Sequence, residues 1–240
     1  MIRIYDKLKI QLPVLLRRNF ILFCSFFPAI SFAQKSDTLF LKKKPGYYIS
    51  KSIAPTGLII SGILVNGSGE ESLKNELKEE HDEHFAHFHT HADDYLQYAP
   101  IGLAYGFDAI GMHSKTDIAN RSVILLKSEL LMSGLVTSLK YTTRNLRPDG
   151  SAHNSFPSGH TAQAFAAATF LTEEFGHEYK CTPYLAYGIA SSVGMLRIAN
   201  NRHYLSDVLV GAGIGILSTE VAYLTHHYKW GKHHATLHVY

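Results

Sequence analysis

Three clusters of cationic, imidazole and small polar residues stand between Lys140 and Asp207, separated by apolar runs of helical length. The first holds Lys140, Arg144 and Arg147, closed by Pro148. The second is Pro157-Ser158-Gly159-His160, and the third runs from Arg197 through His203 to Asp207. Cations and histidines without grouped carboxylate ligands suit an anion that exchanges protons, and phosphate is the anion they fit best.

Lys140, Arg144 and Arg147 follow one another at helical offsets of four and three, so they project from one helix end. A lone cation there is ordinarily a solvated terminus favoured by the helix dipole, which is the reading given to Arg144. Lys140 and Arg147 are read as phosphate ligands because of the clusters that accompany them. Pro157 suits a first helical turn, whose free backbone N–H groups attract anions. Gly159 admits a ligand close to the backbone, Ser158 offers a hydroxyl, and His160 is placed to exchange a proton with a bound oxyanion. His203 and Asp207 are four residues apart and share a helix face. A carboxylate bond to one ring nitrogen fixes the tautomer and leaves the other as a nucleophile; a structural ion pair is the alternative. Arg197 adds a guanidinium fork that matches two phosphate oxygens.

Helices must carry these clusters to a common point. Periodicity predicts them at 94–112, 118–143, 160–176, 182–200 and 204–227, with no strand, so the fold class is all-α: a bundle of about six helices with the site at one end. Leu125, Met132 and Val136, with Ile124, Leu131 and Leu135, form the buried stripe of the second helix. Gly211 and Gly215 are spaced for close helix packing.

The 240 residues, 46% of them hydrophobic, fit one domain, and a net charge of +3 without long basic blocks argues against a nucleic-acid partner. Residues 1–33 read as an export signal or N-terminal anchor: basic residues, the apolar run from Phe20 to Ile30, then small residues ending at Ala33. The rest is expected at the periplasmic face of the envelope, membrane-associated or free. Cys24 falls in that signal, leaving Cys181 with no internal disulfide partner. Residues 34–93 read as a linker and a peripheral His-rich segment, and 229–240 as a polar His-rich tail. The apolar run at 53–65 is shorter than the ~20 residues of a spanning helix. His81, His84, His87, His89 and His91 are read as a solvated tract, with zinc or copper binding by His84, His87 and His91 as the alternative.

Taken together, Lys140 with six residues before Arg147-Pro148, then Pro157-Ser158-Gly159-His160, then Arg197, His203 and Asp207 resemble the tripartite signature of the type 2 phosphatidic acid phosphatase (PAP2) and vanadium haloperoxidase superfamily. The resemblance covers most of 94–228. It implies that His203 attacks phosphorus to give a phosphohistidine, that Asp207 orients it, and that His160 protonates the leaving oxygen and then activates water. It further implies that Lys140, Arg147, Arg197, Ser158 and the Gly159 N–H hold the phosphoryl oxygens, with no metal or cofactor. Leu196 departs from the family, which commonly has Ser there. The implied activity is hydrolysis of a phosphomonoester or diphosphate on a membrane lipid such as lipid A, undecaprenyl diphosphate or phosphatidylglycerol phosphate. Alternatives are a soluble periplasmic acid phosphatase acting on small phosphate esters, a vanadate-dependent haloperoxidase, and a non-catalytic phosphate or headgroup binder.

Overall fold

The computed structural model describes residues 45–66, 73–85 and 88–227. The signal expected at 1–33, the tail at 229–240 and His87 lie outside them. Every regular element among the described residues is a helix: α1 Pro45–Val65, α2 Leu73–His84, α3 Ala92–Leu96, α4 Ala99–Ala109, α5 Ile118–Thr143, α6 Gly159–Phe175, α7 Thr182–Ala199 and α8 Leu205–Leu224. The all-α expectation holds.

The bundle is built around α6. Twelve of its 17 residues are buried, among them Ala162, Ala164, Ala166, Ala167 and Ala168. Small side chains all round a helix let neighbours approach on every face. On one side Ala164, Ala168, Phe170 and Phe175 pack with Ala104 of α4 and with Ala186, Ala190 and Val193 of α7. On the other, Ala162 and Ala166 pack with Met132 and Val136 of α5 and with Val210 and Ile214 of α8. Of the stripe read from the sequence, Ile124, Met132 and Val136 are buried, while Leu125, Leu131 and Leu135 are only partly so.

Two boundaries differ from expectation. The helix expected at 94–112 is broken into α3 and α4, with Pro100 in the first turn of α4. Pro in a helix interior would collide with the carbonyl four residues before it, here that of Leu96, so the chain turns instead. The segment from Pro45 that composition assigned to a linker is already helical, and α1 extends through Pro55 to Val65. Its length comes from tertiary packing. A Cβ on Gly62 would come within 2.7 Å of Val210, and one on Gly213 within 2.6 Å of Ile59 and the Pro55 carbonyl, so α1 and α8 touch nearly backbone to backbone.

Three helices are long and apolar enough to cross a membrane: Gly46–Val65, Ile118–Thr143 and Leu205–Leu224. The outward side of α1 exposes Ile49, Ile53, Ile60, Ile63 and Leu64, and α5 exposes Leu126 and Leu130. The charges that interrupt these runs turn inward. Glu129 accepts from Gln163 Nε2 at 2.7 Å, and Lys127 Nζ donates to the Thr225 carbonyl at 3.2 Å. Lys51 pairs with Glu173 and, at 2.9 Å, with Glu220, while Lys115 reaches Glu173 at 2.7 Å. This ion cluster, next to Glu174 and its partners Thr116 and Tyr223, lies at the C-terminal end of α6. The three sequence clusters gather at the other end, about 20 Å away at 1.5 Å per residue.

Candidate active site

Hydrogen bonds across helix ends bring the three clusters together. Ser158 N–H donates to the Asp207 carbonyl at 3.0 Å, joining the start of α6 to the start of α8. The end of α5 arrives through Lys140, whose Nζ donates to the Asn154 carbonyl at 2.5 Å and whose Cε lies 3.9 Å from where a Gly159 Cβ would stand. Arg147 Nε donates to Asn154 Oδ1 at 2.9 Å, so Asn154 holds two of the candidate cations at once. Arg144 caps α5 in the left-handed region at φ 49 and is exposed, in keeping with a solvated terminus.

His203 lies in the short turn between α7 and α8 and is only 2% exposed. Its Nδ1 is 3.5 Å from Asp207 Oδ2 and makes no hydrogen bond. The expected pairing is therefore present as an ion-pair contact, longer than a charged hydrogen bond of ~2.7–2.9 Å. Oδ2 already accepts from Ser155 Oγ at 2.5 Å and from the Tyr204 N–H at 3.1 Å. Burial drives the His203 pKa down to about 4; Asp207 opposes this, and the positive Lys140 and Arg197 add to it. The imidazole is thus neutral near pH 7, the form in which a ring nitrogen is a nucleophile.

Arg197 ends α7 at 7% exposure, and its carbonyl accepts the His203 N–H at 3.3 Å. NH1 donates to Asp93 Oδ2 at 2.5 Å, whereas Nε is buried without a partner. A buried donor without an acceptor costs free energy that an oxyanion would recover. Arg147, outside the helices, has its pKa lowered by burial and then by the charge of Arg197, as expected where cations converge on an unfilled anion site.

Ser158 and His160 are placed differently from each other. Ser158 is fully buried and is the N-cap of α6: its Oγ accepts the Thr161 N–H and contacts Thr161 Oγ1 at 2.8 Å. Its hydroxyl is thus occupied locally, and the following backbone N–H groups are what it leaves for an anion. His160 is the second residue of α6, and its Nε2 is 2.8 Å from Asp94 Oδ1. Asp93, Asp94 and His160 bring ligand-type atoms within 4.8 Å of one another. Arg197 and Asn200 already occupy the Asp93 oxygens, and His91 and His160 those of Asp94, so the trio is held by hydrogen bonds.

The family model described as the PAP2 superfamily matches residues 121–231, a span that contains all three clusters. The chain carries a PAP2 superfamily domain. Over 137 residues, covering 57% of this chain and 31% of the relative, it is 40% identical to a lipid A 1-phosphatase of Porphyromonas gingivalis. Over 83 residues, 30% of this chain and 27% of the relative, it is 36% identical to a probable lipid phosphate phosphatase 4 of Arabidopsis thaliana. The matches thus span about a third or less of these relatives' lengths. A crystal structure of Aquifex aeolicus LpxE aligns with a TM-score of 0.47 and 24% identity, over 61% of this chain and 93% of that one.

Around the gathered clusters stand residues that sequence reasoning passed over: Asp93, Asp94, Asn154, Ser155 and Asn200. Asn154 and Ser155 stand three and two residues before Pro157 of the second cluster, and that proximity was the available signal. The His-rich tract also divides. His84, His89 and His91 are exposed, and α2 ends at His84, so no common helix face joins His84 to His91. His81 is buried at 7% exposure, with Nε2 2.8 Å from the Ala199 carbonyl at the end of α7. That histidine is a packing residue, not part of a solvated tract.

Proposed function

We propose that this chain is a membrane-associated phosphatase that hydrolyses a phosphomonoester or diphosphate on a lipid through a phosphohistidine intermediate. The observation that carries the reading is the buried, unpartnered Arg197 Nε beside a buried histidine held neutral by its surroundings. Phosphate would satisfy the first and be attacked by the second. In the proposed first step a ring nitrogen of His203 bonds to phosphorus while the phosphorus–oxygen bond to the leaving group breaks, and His160 supplies that oxygen's proton. In the second step water, deprotonated by His160, displaces His203 and releases phosphate. Asp207 stabilises the cationic imidazole that forms on His203. Lys140, Arg147, Arg197 and the N–H groups at Gly159 and His160 hold the three phosphoryl oxygens as charge develops.

A lipid substrate is favoured over a small soluble ester by the three apolar helices and by the names of the similar proteins. Lipid A, undecaprenyl diphosphate and phosphatidylglycerol phosphate are the substrate classes to compare. In this reading residues 94–228 form the catalytic unit with α1 as an added buttress, and residues 1–33 direct or anchor the chain so that the site faces the periplasm. The test is phosphate release by purified full-length protein in detergent from these lipids and from p-nitrophenyl phosphate. Release from a lipid, lost in His203→Ala, supports the proposal; release from p-nitrophenyl phosphate alone favours the acid phosphatase alternative, and none from any substrate overturns both.

A further inference from the structure

Asp94 lies outside the residues matched to the PAP2 superfamily, yet its Oδ1 is 2.8 Å from Nε2 of His160. Its position is fixed by its neighbour. Asp93 is 1% exposed and held through Oδ2 by Arg197 NH1 at 2.5 Å and through Oδ1 by Asn200 Nδ2 at 3.1 Å. Thr90, three residues earlier, exchanges two bonds of 2.9 Å with the Asn200 side chain. The start of α3 is therefore clamped to the end of α7, and the residue after Asp93 is delivered to the imidazole at the start of α6. The second Asp94 oxygen receives His91 Nδ1 at 3.2 Å.

We propose that Asp94 is a positioning residue for the proton-transfer step: it holds His160 by Nε2–H, favours its protonated form, and leaves Nδ1 as the atom that moves the proton. This rests on the acid and base role given to His160 above. In the balanced cycle the imidazolium keeps its Nε2 proton on Asp94 throughout. Nδ1 loses its proton to the departing ester oxygen, and the freed Nδ1 lone pair then takes one from the water that attacks phosphohistidine. A carboxylate at this distance is what the step requires, because the other influences on His160 oppose protonation. Burial and the positive charge of Arg197 lower its pKa, and Asp94, then Asp93, work against them. Of the charged groups facing His160, Arg197 is the cation and the two aspartates are the anions.

The experiment compares wild type, Asp94→Asn, Asp94→Glu and His160→Ala, full length in detergent, in first-turnover measurements with p-nitrophenyl phosphate and with a long-chain alkyl phosphate. Nitrophenolate departs without full protonation; an alkoxide does not. Asp94→Asn is expected to slow first-turnover release of the alcohol on the order of 10- to 100-fold, short of the ~100- to 10,000-fold that a general acid supplies. Release of nitrophenol should stay within about 3-fold, KM should change little, and the alkaline limb of the alkyl-phosphate profile should move to lower pH. Asp94→Glu should restore part of the loss. Equal losses on both substrates with a raised KM would mean a structural role and overturn the proposal, as would no effect on either. If His160→Ala itself treats the two substrates alike, the acid assignment fails instead. A histidine NMR titration, assigned with His160→Ala, decides even for an inert protein: the His160 pKa falls in Asp94→Asn, and an unchanged value overturns the proposal.

Discussion

Gly211 and Ser158 face each other where α8 crosses the start of α6: a Cβ on Gly211 would lie 2.5 Å from the Ser158 carbonyl oxygen and 3.4 Å from the Ala162 nitrogen. One turn further on, Gly215 meets Ala162 in the same way. These contacts set the distance between the helix whose first turn carries His160 and the one whose first turn carries Asp207.

Enlarging Gly211 should therefore damage both stability and site. Gly211→Val is expected to cost roughly 1–3 kcal/mol, the usual range for overpacking, and to lower turnover more than Gly188→Ala. Gly188 lies inside α7 with nothing within 4 Å of an added Cβ. Its alanine variant should gain roughly 0.5–1 kcal/mol from helix propensity. Thermal unfolding in detergent measures both, and a Gly211→Val protein as stable as wild type would contradict the close contact.

Acid should weaken the fold through His203. Its pKa is about 4 in the folded chain, against ~6.5 for a free imidazole. The unfolded chain therefore binds the proton more tightly. Stability is complete above about pH 6.5, declines below it, and has lost this contribution by about pH 4, a difference on the order of 3 kcal/mol. His203→Gln has no such titration, so its melting temperature should fall less steeply than that of wild type on going from about pH 7 to about pH 4.5. Parallel declines would show that His203 does not titrate as its burial requires.

The two histidines should separate kinetically. His203→Ala removes the nucleophile and should abolish turnover for every substrate. His160→Ala should still release a burst of nitrophenol from p-nitrophenyl phosphate and then stall as a phosphohistidine that lacks its base. Rapid-quench detection of a phosphorylated His203→Ala protein, with none in His160→Ala, would reverse the two roles.

Chelation should leave hydrolysis intact, because the proposed charge stabilisation comes from Lys140, Arg147, Arg197 and backbone N–H groups. Activity lost in EDTA and restored by a divalent metal would refute this. Vanadate should inhibit as a mimic of the transferring phosphoryl group.

Within the His-rich tract, His84→Ala and His89→Ala should keep turnover within a few-fold, since both side chains are exposed. His81→Ala should instead lower stability by roughly 1–3 kcal/mol, because the Ala199 carbonyl loses its buried partner. A melting temperature equal to wild type would show that α2 does not brace the end of α7.

The convergence of the three clusters was legible because their members sit at or beside helix ends, where local spacing decides which way a side chain points. Lys140 followed from helical offsets and the start of α6 from Pro157-Ser158-Gly159, whereas His203, read as sharing a helix face with Asp207, stands in the turn before α8. Asp93 and Asp94 did not follow from spacing, because their partners are 104 and 66 residues away. No local pattern distinguishes them from an ordinary acidic helix start. The same limit hid the full extent of α1. Lys51 and Pro55 look foreign to a long apolar helix until Glu173, Glu220 and Gly213 are beside them.

Cys181 stands exposed just past the end of α6, at the pole occupied by the Lys51, Lys115 and Glu173 ion cluster, with the proposed catalytic residues at the opposite pole. The chain thus carries a thiol reporter of its own sidedness. In a Cys24→Ser background, a membrane-impermeant maleimide applied to cells with a permeabilised outer membrane should leave Cys181 unlabelled if the site faces the periplasm. Labelling should then appear only after the inner membrane is opened, and labelling from outside would mean that the phosphate chemistry is performed on the cytoplasmic leaflet.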